Sequence, residues 1–263
     1  MARVFALAYA FASYLVFFVT FLYAVGFVGG FLTPTTVDTG PAGPVGTAVL
    51  VDLVLLGLFG LQHSIMARPA FKRRWTRIVP RAVERSTFVL LASVILLVTF
   101  AFWRPIQGVV WDVRGALGRE LLWALFAAGW SIVFLGTWMI DHFDLFGLRQ
   151  AWTYFRGGEY RHPHFQTRGF YRYVRHPLML GFIIAFWATP TMTMGHLLFA
   201  AVSTAYILVA LRFEERDLRT YHGDAYEAYR RTTPSLIPGL KGRSEPGVRA
   251  MGESAADGGR APS

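Results

Sequence analysis

The sequence contains no cysteine, which excludes disulfides, thiolate metal centres and a cysteine nucleophile. Charge is also scarce. Only 16% of the 263 residues are Asp, Glu, Lys or Arg, against about 25% in an ordinary soluble domain. Acidic residues are the rarer sign, 16 against 26 Lys and Arg, for a formal net charge of +10. What fills the chain instead is apolar. Hydrophobic residues reach 54%, mean hydropathy is +0.40, and Phe (23) and Trp (8) are used heavily. A membrane-crossing helix needs about 20 consecutive apolar residues, and several such runs are present. In that setting an excess of positive charge points to basic loops beside anionic lipid rather than to nucleic acid.

The apolar segments run over 4–30, 47–66, 86–103, 119–140, 178–194 and 196–213. The first exceeds a signal-peptide core in length and no clear cleavage site follows it, so it is read as a span. The expected fold is an all-α integral membrane protein with about six transmembrane helices (five to six). The loop 33–46 has no Lys or Arg, whereas 67–86 carries Arg68, Lys72, Arg73, Arg74, Arg77, Arg81 and Arg85. The loop 103–120 is modestly basic, and 141–177 holds six arginines and four of the seven histidines. The positive-inside rule then places both termini and the second and fourth loops in the cytoplasm. Trp103, Trp111 and Trp123 are expected in an aromatic belt. Residues 1–240 form one polytopic domain in this reading, and 241–263, rich in Gly, Ala, Ser and Pro, a disordered tail.

The last two apolar segments are separated only by "TPTMTMGH" (189–196), so they must form a tight antiparallel hairpin. His176 lies nineteen residues before Gly195 and Glu214 nineteen after it. Nineteen helical residues rise about 28 Å, close to the hydrocarbon thickness. Arg175 and His176 should therefore meet Glu214 and Glu215 at one cytoplasmic membrane surface. Pro177 fits the first turn of a helix, where its missing N–H costs nothing. Charges at span ends also serve as plain anchors, but the flanking sequence adds to this cluster. Tyr226 and Tyr229, three apart, share one helical face in an amphipathic segment stopped by Pro234 and Pro238, a wall suited to something polar and flat.

Taken together, "RHPLMLG" and "EERDLRTYHGDAYEAYRRTTPSLIP" resemble the C-terminal signature of the isoprenylcysteine carboxyl methyltransferase superfamily. Gly181, Glu214, Glu215, Gly223, Tyr226, Tyr229, Pro234 and Pro238 fill that pattern. The segments "LQHSIMARPAFKRRWTRIVPRAVERSTFVL" (61–90), "HFDLFGLRQAW" (142–152) and "FWATPTMTMGHLLFA" (186–200) extend the likeness to nearly the whole chain except the tail. They resemble the bacterial methanethiol S-methyltransferases of the nurim/NnrU-like group. Met179 stands where the wider superfamily often has Tyr, and Thr233 where it has an apolar residue. Both departures weaken transfer from the prenyl-substrate enzymes more than transfer of the cofactor site. The resemblance implies S-adenosyl-L-methionine as methyl donor and methanethiol, a small volatile thiol, as acceptor, giving dimethyl sulfide. In that reading Arg175 clamps the cofactor's carboxylate, helped by amides at the helix start before Pro177. Glu214 or Glu215 receives its ammonium or ribose hydroxyls, Leu178, Tyr226 and Tyr229 line the adenine, and His176 hydrogen-bonds the cofactor or orients a partner.

A thiol acceptor must lose its proton, and a free cysteine thiol has a pKa of about 8.5. Candidate groups for that task are His142 and Asp144 in "DHFDLFGLRQ", with Arg149 beside them, and His63 with Gln62 at the end of the second span. A boundary acid is costly and often functional, though Asp141 can equally pair with Arg149. The arginines of 68–85 read as lipid-facing or folding-related, with Glu84 and Arg85 able to pair with the core loops. "HPHF" (162–165) is a poor metal signal, and no metal site is expected. Two other acceptors stay open, hydrogen sulfide and a prenylcysteine-type carboxylate, the latter requiring a wide lateral gap between spans. A different class, a non-catalytic haem- or metal-binding membrane protein, would need histidines facing each other inside the spans, and most lie at span ends. Nothing in the sequence fixes the oligomeric state.

Overall fold

A computed structural model of the protein describes residues 1–161 and 167–239. The expected tail and the "HPHF" segment therefore lie outside the described residues. Uninterrupted apolar runs satisfy their backbone groups internally by becoming helices. They do so here in the order α1 (Ala2–Gly29), α2 (Val45–Ala67), α3 (Pro69–Trp75) and α4 (Arg81–Phe102), then strand β1 (Val109–Asp112). Next come α5 (Ala116–Ile140), α6 (His142–Leu145), α7 (Leu148–Phe155) and a short 3₁₀ turn (Gly169–Arg172). The chain continues through α8 (Pro177–Trp187), β2 (Thr191–Thr193), α9 (Met194–His222) and α10 (Asp224–Thr232). Proline marks the starts: Pro44 and Pro80 sit just before α2 and α4, and Pro69 and Pro177 open α3 and α8.

Five helices, α1, α2, α4, α5 and α9, are long and apolar enough to cross a membrane. The chain is thus a multi-pass, predominantly helical membrane protein. The expected span over 178–194 is corrected. Its helix α8 has 11 residues, a rise of about 16 Å. It stops because Pro190 disfavours helical backbone at Thr189, and the chain goes on extended. β2 pairs antiparallel with β1, Val109 opposite Thr193 and Trp111 opposite Met192. This minimal two-stranded ribbon, within an otherwise helical chain, keeps the extended backbone hydrogen-bonded. Along α9, Met194 to Glu215 rises about 31 Å. The return run matches that length with a half-length helix followed by extended chain at about 3.3 Å per residue.

Contacts sort the loops to two ends of the bundle. At one end Arg68 pairs with Asp217 at 3.1 Å, Arg85 reaches the Leu145 carbonyl, Arg3 lies over Tyr154, and Arg175 meets Glu215. At the other, Trp103 donates its indole N–H to the Val37 carbonyl, the Arg104 amide donates to Asp52, and Thr193 donates to Asp38. The strongly basic loops 67–86 and 141–177 share the first end. Trp103 is fully buried rather than part of a lipid-facing belt, because its N–H finds a carbonyl inside. Trp123 keeps 37% of its surface exposed.

The helices close into a ring. α9 touches α2, α2 touches α4, α4 packs along α1, and α5 packs along α8, which returns to α9. Phe21 of α1 meets Trp130 of α5 edge-on at 5.4 Å and completes the circuit. The tightest seam is α5 on α8. A Cβ on Gly181 would stand 2.7 Å from the Gly129 carbonyl oxygen, and one on Gly129 would stand 2.7 Å from the Ala185 amide. Small residues let these backbones approach as larger ones cannot, and the seam holds the start of α8 in place.

Candidate active site

Arg175 and His176 end the irregular stretch before α8, and Glu214 and Glu215 sit seven or more residues inside the C-terminal end of α9. The chain's end clasps them. After α10 stops ahead of Pro234, the Arg175 amide donates to the Pro234 carbonyl at 2.9 Å and the His176 amide to the Ser235 carbonyl at 3.1 Å. The Arg175 guanidinium is buried and committed within the chain. It donates to the Thr233 carbonyl at 2.6 Å, to the Arg230 carbonyl at 3.3 Å, and through Nε and Nη2 to Glu215 Oε1. His176 Nε2 at 3.1 Å and the Ser235 hydroxyl at 3.3 Å address the same oxygen. His176 Nδ1 lies 3.7 Å from Glu214 Oε2, so the imidazole bridges both carboxylates. Glu214 keeps 45% of its side-chain surface accessible, so its carboxylate is open to a ligand.

Two aromatic layers back this cluster. Tyr226 is 1% exposed, its ring 6.1 Å from that of Tyr229 and tilted 65° to it. The Tyr229 hydroxyl donates to the Tyr171 carbonyl. Burial pushes the phenol of Tyr229 up to about 12, and burial with the neighbouring Glu215 raises Tyr226 further. Tyr171 was not singled out from sequence. Its buried hydroxyl has no hydrogen-bond partner among the described residues, and burial together with nearby Glu214 raises its pKa. The signal was its place four residues before Arg175 in "FYRYVRHP".

The structure brings Arg175, His176, Pro177, Glu214, Glu215, Tyr226 and Tyr229 together, with Leu178 in the first turn of α8. The loop candidates are distributed differently. His142 is 2% exposed, stacked on Trp138 with ring centroids 4.4 Å apart. Both its nitrogens are engaged. Thr137 donates its single hydroxyl hydrogen to the Phe134 carbonyl at 2.6 Å, so His142 Nδ1–H donates to Thr137 Oγ1 at 2.7 Å. Nε2 then accepts from the Tyr14 hydroxyl at 2.8 Å. This geometry pins the loop start to α1 and α5. Asp144 faces elsewhere: Oδ1 accepts from the Tyr160 hydroxyl at 2.8 Å and the Gln150 amide at 3.3 Å. Arg149 pairs with Asp141, whose other oxygen caps α6 through the Asp144 amide. His63 lies between Phe59 and Phe88, ring centroids 5.4 and 5.0 Å away, with its buried Nδ1 unpaired, and Gln62 donates to the Met66 sulfur at 3.1 Å. Among the described residues no group of three or more His, Asp or Glu is placed to hold a metal ion.

The buried position of His142 has a pH signature. Burial lowers its pKa, and Asp141 opposes this only in part. Between that depressed value and about 6.5 the unfolded chain binds the extra proton and the folded chain does not. Stability should therefore fall as pH drops below about 6.5. Thermal unfolding of the purified protein between pH 7.5 and 5 checks this: His142→Gln should make the decline shallower, and a parallel decline in both proteins would reject the assignment.

No family model matches the chain, and no solved structure matches it. Curated proteins do. It is 58% identical over 238 residues to the methanethiol S-methyltransferase of Mycobacterium tuberculosis, covering 90% of this chain and 98% of that protein. It is 55% identical over 242 residues to methanethiol S-methyltransferase 2 of Bradyrhizobium diazoefficiens, covering 92% and 93% of the two. A nurim homologue of Drosophila pseudoobscura pseudoobscura is 30% identical over 181 residues, 66% of this chain and 70% of its own.

Proposed function

The chain belongs to the methanethiol S-methyltransferase family, and from that premise we propose that it methylates methanethiol to dimethyl sulfide with S-adenosyl-L-methionine as donor. The observation that carries the cofactor reading is the meeting of Arg175 and His176 with Glu214 and Glu215, beside the accessible face of Glu214 and the unpaired Tyr171 hydroxyl. These groups fit a ligand that is cationic at one end, carries hydroxyls, and ends in a carboxylate. Bound there, S-adenosylmethionine supplies an electrophilic methyl group on a sulfonium centre.

Each residue then has a task. Glu214 and the second oxygen of Glu215 accept hydrogen bonds from the ammonium or ribose. Arg175 acts through Glu215, fixing its carboxylate from within. The first intrahelical bond of α8 runs from the Leu180 amide to the His176 carbonyl, so the amides of Leu178 and Met179 stand at the helix mouth for a carboxylate. Tyr226 and Tyr229 back the site and keep water from it. Catalysis of this kind depends mainly on holding the reacting atoms in line, which suits a site built from a rigid hairpin and its clasp. Cells supplied with methanethiol, with and without this gene, test the activity by headspace analysis: dimethyl sulfide should accumulate only with the gene, and equal amounts in both would reject it.

Both termini and the cofactor mouth face the cytoplasm of a bacterial cell membrane in this account. The basic loops 67–86 and 141–177 share the bundle end that carries Glu215, and positive loops stay on the cytoplasmic side. Reporter fusions at residue 239 should be active only with a cytoplasmic reporter. Activity of a periplasmic reporter there would turn the protein over and separate the site from cytosolic cofactor.

A further inference from the structure

A second polar group lies inside the same end of the ring, between α2, α3, α4 and α6, and the cofactor cluster does not use it. Arg85 is its centre. It falls on the face of α4 that carries the buried Ser86, Phe88, Val89 and Ser93. Its Nε donates to the Leu145 carbonyl at 2.8 Å, and its guanidinium carbon stands 5.0 Å from the centre of the Phe88 ring. The side chain is half-buried and retains accessible surface. Its terminal nitrogens donate to no protein acceptor among the described residues.

The groups facing Arg85 are Glu84, Lys72, His63, Asp144 and Tyr160. Neither carboxylate is within hydrogen-bonding distance of the guanidinium. Asp144 Oδ1 is taken by the Tyr160 hydroxyl and the Gln150 amide, and Glu84, near the Lys72 ammonium but not ion-paired with it, keeps a buried Oε1 with no hydrogen-bond partner among the described residues. The surrounding wall is soft and apolar: Met66, Phe88, Val89 and Phe146, with Phe71 and Trp75 packed on it. The Trp75 indole N–H is buried there without an acceptor. A guanidinium and an indole N–H without acceptors, on a wall of sulfur and aromatic carbon, match a small, polarisable anion.

We propose that Arg85 is the anion seat of the methyl acceptor, its terminal nitrogens and the Trp75 N–H holding a small thiolate against Met66 and Phe88. This rests on the methanethiol reading above. On binding, the S–H bond breaks with its electron pair left on sulfur, and the proton passes to the buffer. The guanidinium charge compensates the thiolate where water cannot.

Two measurements on the full-length purified protein test this. Calorimetry of methanethiol binding to wild type at pH 7, repeated in buffers of different ionisation enthalpy, should count one proton released per thiol bound. Arg85→Gln should bind without release. In turnover, Arg85→Gln should lose about 10²–10³-fold in kcat/KM for methanethiol, with the loss shrinking as pH rises and the thiol ionises unaided. Its affinity for S-adenosylmethionine should stay within about twofold, and Arg85→Lys should recover part of the loss. Absence of proton release in wild type, a loss equal at every pH, or wild-type kcat/KM in Arg85→Gln would each overturn the seat. So would failure of both variants to fold, which would make Arg85 a structural residue. An inactive wild type would instead reject the methanethiol reading, and this inference with it.

Discussion

Replacing Glu215 with alanine should abolish cofactor binding and turnover and also destabilise the fold. Glu215 Oε1 is the shared acceptor for Arg175, His176 and Ser235, and its partner guanidinium is only 7% exposed. Removing one partner of a buried pair leaves an uncompensated charge, at a cost of about 3–5 kcal/mol. Glu215→Gln separates the two effects. It keeps a carbonyl oxygen for the three donors but loses the negative charge offered to an ammonium. The glutamine variant should stay folded, with its affinity for S-adenosylmethionine at least tenfold weaker, about 1.4 kcal/mol. Calorimetry on both variants decides it, and wild-type affinity in Glu215→Gln would remove this carboxylate from the cofactor site.

Gly181→Val should be as damaging without touching any charged group. The new side chain would collide with the Gly129 carbonyl and with Val133, whose Cγ2 lies 2.9 Å from the Cβ position. Overpacking of this kind costs about 1–3 kcal/mol or more. It would also push α8 off α5 and carry His176 away from Glu214 and Glu215. Yield, thermal unfolding and cofactor affinity should all fall, whereas Gly57→Ala, where no atom lies near the added methyl, should leave all three unchanged. A stable, cofactor-binding Gly181→Val protein would show that the seam does not set the site.

The comparison of these two positions shows what a linear reading can reach. The meeting of Arg175–His176 with Glu214–Glu215 was legible because it depends only on helical rise counted from a short turn. The half-length α8 was not, since Thr189 to Thr193 reads as a plain turn between spans, and its extended course depends on pairing with Val109–Asp112 far earlier in the chain. Arg175 was expected to reach outward for a ligand. Its inward turn depends on carbonyls of Arg230 and Thr233, more than fifty residues away. His142 was expected to take or relay a proton with Asp144, but both its nitrogens are engaged, by Thr137 and by Tyr14, the latter 128 residues earlier. Arg85 was hidden by company, being the last of a run of basic residues that reads as a membrane anchor. Only its i, i+3 and i+4 relation to Phe88 and Val89 sets it on the inner face.

The most direct test of the whole account uses the purified protein with methanethiol and S-adenosyl-L-methionine carrying an isotopic label in its transferable methyl group. The account predicts labelled dimethyl sulfide in the headspace, formed in step with S-adenosylhomocysteine, reduced in Glu215→Gln at cofactor concentrations near the wild-type Kd, and strongly reduced in Arg85→Gln. Cofactor turnover with no labelled dimethyl sulfide would contradict it.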